Sequence, residues 1–231
     1  MQIAMLLLPA VAFQAGGKVQ IKDVTVGRGA PAKVGDYLTV DYTGKLTNGK
    51  VFDSSKGTGR EPFKLVLGAG QVIKGWEDGL KGMKVGGKRI LTIPPALGYG
   101  AQGAPPDIPG GATLKFEVEL RAIEKVKVET TRKGTGPGAV GGDTVNLHYR
   151  GTFPDGKKFD SSYDRNQPFP VTIGRTGVIP GFTMGLLGIK KGEKRRVTIP
   201  WQLAYGAEGR PPVIPAKATL VFELEALEIS R

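Results

Sequence analysis

The feature that most constrains this chain is that it repeats itself. Tyr42 and Tyr149, Gly44 and Gly151, and the runs Phe52-Asp53-Ser54-Ser55 and Phe159-Asp160-Ser161-Ser162 lie 107 residues apart. Phe63 and Phe169, Ile73 and Ile179, Tyr99 and Tyr205, and Phe116 and Phe222 lie 106 apart, so one residue is lost in the loop after the double serine. This period divides the 231 residues into two units of about 107, each able to bury a core without disulfides or metal. The units are set at 16–124 and 125–231. The pattern restarts at Val126 with no flexible linker, which predicts a fixed relation between the two.

Within the first unit, period-two alternation predicts strands at Lys18–Lys22, Asp36–Leu46, Phe63–Leu67, Lys88–Ile93 and Ala112–Leu120. Asn48-Gly49 supplies a tight turn between Asp36–Leu46 and Val51-Phe52-Asp53, and Pro94-Pro95 stop the strand before them. Between the strands, Val72-Ile73-Lys74-Gly75-Trp76-Glu77-Asp78-Gly79-Leu80 places its apolar residues on one helical face and turns a tryptophan inward. Its copy runs Val178 to Leu186, with Pro180 where a helix tolerates a missing N–H and Phe182 as the aromatic. Residues 96–111 form a long irregular loop, of the kind that lines a site. The expected class is α+β, antiparallel sheet against one short helix in each unit.

Composition excludes several chemistries. There is no cysteine and only one histidine, His148, so thiol catalysis, zinc thiolates and multi-histidine metal sites are out of reach and no metal or cofactor is expected. A hydrolytic triad fares no better, since the histidine has no counterpart in the first unit. The net charge is +12, and two basic runs, Lys81–Arg89 and Lys190–Arg196, could meet nucleic acid. Lysine guarding a solvated strand edge accounts for them as well, and nucleic acid is not the expected partner. The uncharged stretch Met1–Ala15, with Ala10-Val11-Ala12 as an A-x-A-like cleavage site, reads as a clipped signal peptide or a disordered N-terminus. The first reading places the chain outside the cytoplasm, the second leaves it cytoplasmic. No stretch reaches membrane-spanning length.

Tyr42-Thr43-Gly44, Phe52-Asp53-Ser54-Ser55, Pro62-Phe63, Val72-Ile73-Lys74-Gly75-Trp76, Tyr99-Gly100-Ala101 and Ala112–Leu120 together resemble the FKBP family, the macrolide-binding prolyl isomerases. The second half resembles it equally, through Phe159 to Phe169. The resemblance implies two tandem domains, each a bent five- to six-stranded antiparallel sheet wrapped on one short helix, with a shallow aromatic pocket between them. It implies Trp76 and Phe182 as pocket floors. The implied walls are Tyr42, Phe52, Phe63, Val72, Ile73, Ile108 and Phe116 in the first domain, and Tyr149, Phe159, Phe169, Val178, Ile179, Val213, Ile214 and Phe222 in the second. Tyr99 and Tyr205, with the backbone N–H of Ile73 and Ile179, become donors to a substrate carbonyl. Proline-containing polypeptides are the implied substrates, macrolides such as tacrolimus or rapamycin the implied ligands, and a monomer is expected.

The chemistry asks for little. Rotating an X–Pro bond crosses a barrier of roughly 18–20 kcal/mol and makes or breaks no covalent bond, so no nucleophile is required. A dry aromatic pocket disfavours the planar, charge-separated amide relative to the twisted one, and one or two aimed donors hold the rotated carbonyl. Asp53 and Asp160 read either as pocket carboxylates facing the twisted amide or as turn carboxylates bound to local N–H groups or an arginine. The family's arginine ahead of Pro-Phe is matched by Arg165, whereas the first unit offers Lys56 or Arg60 in a longer loop. Phe182 shortens the second floor, and Asp107 puts a charge where an apolar wall is usual. A non-catalytic proline-binding chaperone or scaffold, in one or both domains, is the competing reading.

Overall fold

The computed structural model describes residues 17–231, so the stretch read as a signal peptide or disordered N-terminus lies outside the described residues. The first unit runs β1 (Gln20–Thr25), β2 (Tyr37–Leu46), β3 (Val51–Ser54), β4 (Phe63–Val66), α1 (Lys74–Gly79), β5 (Lys88–Ile93) and β6 (Leu114–Glu124). The second repeats it as β7 (Lys127–Arg132), β8 (Thr144–Thr152), β9 (Lys158–Ser161), β10 (Phe169–Thr172), α2 (Pro180–Leu186), β11 (Lys194–Ile199) and β12 (Leu220–Ser230). Each unit is a six-stranded antiparallel sheet with one short helix. The order is β1-β5-β6-β2 in the first, with β3 and β4 both pairing β2, and β7-β11-β12-β8 in the second, with β9 and β10 both pairing β8. This is the α+β tandem arrangement expected.

Alternation sets which face is core. On β6, Leu114, Phe116, Val118 and Leu120 are buried, while Lys115 and Glu117 between them are exposed. The helix lies against this inner face at close range because its packing side is glycine. A Cβ on Gly75 would come 2.3 Å from Ile93 Cγ2, and one on Gly79 would come 2.6 Å from Leu91 Cδ1. Gly181 and Gly185 stand the same way against Ile199 and Val197. With no side chain in between, α1 sinks onto β5 and carries Trp76 to the bottom of the domain, 4% exposed.

The basic runs hold an unexpected structural pair. Arg89 is buried, and its Nη1 donates to the carbonyls of Gly79 (2.7 Å) and Lys81 (2.9 Å), at the end of α1, where helical carbonyls lack partners. Its Nε meets Asp23 Oδ1 at 2.6 Å. Arg195 repeats the device on Gly185 and Leu187, both at 2.9 Å, and pairs with Glu193 at 2.6 Å. Two of the cations that a sequence reading leaves open to nucleic acid are thus helix caps.

The two units share packing. Val66, at the end of β4, and Ala69, just after it, are buried in the second domain's core cluster, with Tyr37 against it. Gly141 and Gly174 admit Ala69: a Cβ on Gly174 would fall 1.9 Å from the Ala69 carbonyl oxygen, and one on Gly141 2.4 Å from its carbonyl carbon. The expected fixed relation therefore has a packed seam behind it.

Candidate functional site

Between α1 and the inner face of the first sheet, five aromatic rings meet edge to face. Trp76 lies 5.1 Å from Tyr42, 5.2 Å from Phe116 and 5.9 Å from Phe63, with interplanar angles of 87–89°. Phe52 stands edge-on to Phe116 at 5.5 Å. Such contacts set positive ring edges on negative faces, adding about 0.5–1.5 kcal/mol per pair beyond burial. Gly44 makes the corner: a Cβ there would be 2.7 Å from Phe52 and 2.8 Å from Phe116. The open side is a cavity of about 490 Å³ lined by Tyr42, Asp53, Phe63, Gly70, Gln71, Val72, Ile73, Trp76, Tyr99 and Phe116.

In the second domain Phe182 lies 5.1 Å from Phe222 and 5.9 Å from Tyr149, Phe159 is edge-on to Phe222 at 5.6 Å, and Phe169 meets Tyr149 at 5.8 Å. The phenyl ring keeps its contact to the sheet but stands farther from the tyrosine than the indole does, 5.9 Å against 5.1 Å. Val178, Ile179 and Tyr205 are partly buried against this core.

The carboxylates sit in one network per domain. Tyr42 donates its hydroxyl to Asp53 Oδ2, while Asp53 Oδ1 accepts from the Ser54 N–H at 2.8 Å and from Arg60 Nη1 at 3.2 Å. Arg60, not Lys56, is therefore the first domain's arginine, and it also donates to the Ser54 carbonyl. In the second domain Tyr149 donates to Asp160 Oδ2 (2.6 Å), and Asp160 Oδ1 accepts from Ser161 N–H and Arg165 Nη1, both at 2.8 Å. Arg165 Nη2 also reaches the Tyr149 oxygen at 2.9 Å. Burial pushes the Asp160 carboxyl up, but hydrogen bonds from Tyr149 and Arg165 and the arginine's charge outweigh it, and the group stays below its ordinary value. Burial, then the hydrogen bond to the carboxylate, raises the Tyr42 and Tyr149 phenols, so both remain protonated donors. Each aspartate thus accepts three local hydrogen bonds, an arrangement suited to fixing the tyrosine rings and unsuited to proton transfer.

Two donors point the other way. Among the described residues no partner is found for the Tyr99 hydroxyl or the Ile73 N–H, both at the cavity wall, nor for Tyr205 O–H or Ile179 N–H. Ile73 and Ile179 immediately precede their helices, where an N–H has no intrahelical acceptor. Of the other wall positions, Ile108 and Ile214 on the two irregular loops are buried at 5% and 4%, whereas Val213 is 53% exposed.

Sequence reading missed the rim's support. Glu77 on α1 accepts from Gly68 N–H (2.5 Å) and Gly70 N–H (2.9 Å), and Gln71 Oε1 accepts from Val66 N–H (2.8 Å), so the turn bordering the cavity is pinned from both sides. Thr176 Oγ1 takes the last role in the second domain, accepting from Thr172 N–H at 2.9 Å. The two turns do this with different residue types, so no shared motif marks it. His148 bonds Ser162 Oγ through Nδ1 at 3.0 Å and stacks on Tyr163 at 4.4 Å. Next to Tyr149 on a strand, it faces away from the aromatic box. A larger concavity on that outer face, about 730 Å³, is lined by Arg150, Lys158, Asp164, Lys194 and Glu225 among others, and most of these charges are paired with one another.

Comparison with known proteins agrees with this geometry. The family described as FKBP-type peptidyl-prolyl cis-trans isomerase matches twice, over residues 29–121 and 136–227. The peptidyl-prolyl cis-trans isomerase FKBP9 of Rattus norvegicus is 41% identical over 202 residues, 85% of this chain and 35% of the relative. FKBP10 of Mus musculus is 39% identical over 199 residues, 84% and 34% of the two chains. FK506-binding protein 4 of Rhizopus delemar is 54% identical over 104 residues, 45% of this chain and 27% of that one. The chain spans about a third of the length of the first two relatives. With both units matched and each built around its own aromatic box, the chain belongs to the FKBP-type peptidyl-prolyl cis-trans isomerase family.

Proposed function

We propose that this chain catalyses cis-trans rotation about X–Pro bonds in protein substrates, with one pocket in each domain and domain limits at 16–124 and 125–231. The observation that carries the reading is the pairing of a buried aromatic floor with two unpartnered donors on the wall above it. Trp76 takes the proline ring, the surrounding rings exclude water from the amide, and Tyr99 O–H and Ile73 N–H receive the carbonyl in its rotated position. Tyr42, fixed by Asp53 and Arg60, and Tyr149, fixed by Asp160 and Arg165, hold the walls. Phe52, Phe63, Val72, Ile108 and Phe116 complete the first site, and Phe159, Phe169, Val178, Ile179, Phe182, Val213, Ile214 and Phe222, with Tyr205, the second.

The test uses the whole chain, because cutting it would expose Val66 and Ala69. Removing both hydroxyls, Tyr99→Phe with Tyr205→Phe, should lower turnover of an X–Pro peptide about fivefold, one neutral hydrogen bond's worth, with the fold retained. Unchanged turnover would remove the hydroxyls from the mechanism. A wild-type chain that leaves the rate at its uncatalysed value would leave only the proline-binding module or chaperone. The wider Phe182–Tyr149 spacing favours that second reading for the second pocket alone.

The family takes proline-containing segments and macrolides, and tacrolimus or rapamycin should compete with the peptide here; absence of competition would withdraw them as ligands. Among the described residues no helix is long and apolar enough to cross a membrane. Export and a monomeric state complete the reading, checked by the mass of the secreted chain and by its size in solution.

A further inference from the structure

The two pockets differ at the lip. The loop over each site is closed by the same short bridge, Ala104 with Ile108 in the first domain and Arg210 with Ile214 in the second, so Arg210 stands where Ala104 does and Val213 where Asp107 does. Both bridge N–H groups bond across in each copy, at 2.8–3.0 Å, which fixes the backbone that carries the arginine. The Arg210 guanidinium lies over the Tyr205 ring, 6.0 Å from its centroid, and the side chain is exposed. Glu208 is on the same loop, but among the described residues no ion pair joins it to Arg210. In the first domain the corresponding lip has no cation of its own, and Asp107 faces Lys50 at 3.6 Å. Two aromatic boxes of the same plan thus carry lips of different charge.

Resting on the isomerase reading above, we propose that Arg210 makes the second pocket select proline segments with carboxylates flanking the proline, while the first pocket is indifferent to that charge. A segment whose proline sits on Phe182 has to run its neighbouring residues past Tyr205. A carboxylate there meets a guanidinium already aligned by the ring and free to make a bidentate pair, whereas a lysine meets like charge. Ala104 offers neither term, and the one charge on that lip, Asp107, is paired with Lys50.

The pockets can be read separately in one intact chain through the backbone amide resonances of Ile73 and Ile179. The probes are the capped peptides Glu-Leu-Pro-Phe-Glu and Lys-Leu-Pro-Phe-Lys. At low salt the acidic peptide should bind at Ile179 about fivefold tighter than the basic one, with near parity at Ile73, and the preference should shrink at high salt. Arg210→Glu should reverse the order at Ile179, Arg210→Gln should bring it to parity, and neither should alter Ile73. A preference that survives Arg210→Glu, or that is equal at both amides, overturns the inference while leaving the isomerase reading intact. If neither peptide moves either amide, the pocket reading itself fails, and the lip with it.

Discussion

Glu225 on β12 accepts hydrogen bonds from Tyr163 O–H at 2.7 Å, Arg132 Nη2 at 2.7 Å and Lys194 Nζ at 2.9 Å. Burial pushes its carboxyl up, but these three partners outweigh that and hold it at about 2, below its ordinary 4.5. Tyr163 is pushed up to about 12 by burial and the same bond. Because the folded value lies below the unfolded one, Glu225 contributes stability that is complete above about pH 4.5 and lost as the pH falls toward 2. Asp160 and Glu193, also lowered, act in the same direction. Urea midpoints measured from pH 5 to pH 2 should therefore fall, and Glu225→Gln should be less stable at pH 5 and flatter across the range. A slope identical to wild type would take Glu225 out of the acid transition. None of these partners was legible in the sequence, since Glu225 meets Tyr163 and Arg132 across 62 and 93 residues.

At the scale of elements, each helix is six or seven residues long, too short to be stable by itself, and persists because its glycine side packs on the sheet and an arginine from the neighbouring strand caps its end. Gly75→Ala should force Ile93 or the helix aside, cost about 1–3 kcal/mol in denaturant unfolding, and lower turnover by lifting Trp76. Wild-type stability in that variant would mean the helix is not seated by close contact. The apolar periodicity of residues 72–80 did predict the helix and its inward tryptophan. It could not show which strand the glycines touch, or that Arg89 and Arg195 turn inward, because an arginine in a basic run reads as solvated until the carbonyls it caps are in place. The strand boundaries moved for a similar reason: β6 runs to Glu124, four residues past its last strongly alternating position, because Tyr37–Thr39 of β2 remain to be paired.

For the whole molecule, the decisive contact is Ala69 pressed against Gly141 and Gly174. Ala69→Glu would place a carboxylate in that seam, and should convert one cooperative thermal transition into two and enlarge the particle seen by small-angle scattering. A single unchanged transition would show that the seam does not couple the domains. What the sequence by itself determined is the part that recurs: two units, their strand alternation, the helix, and the paired sets from Tyr42 to Phe116 and Tyr149 to Phe222. Repetition at a fixed offset carries that information in one dimension. Tertiary structure decided which groups meet, in the repeated Arg89 and Arg195 caps as well as in features without a counterpart. It chose Arg60 over Lys56 as the partner of Asp53, seated Ala69 in the other domain, and put Arg210 over Tyr205 where its counterpart is Ala104. Those outcomes depend on which groups arrive within a few ångströms of each other after the sheets close, and neither alternation nor spacing along the chain specifies that distance.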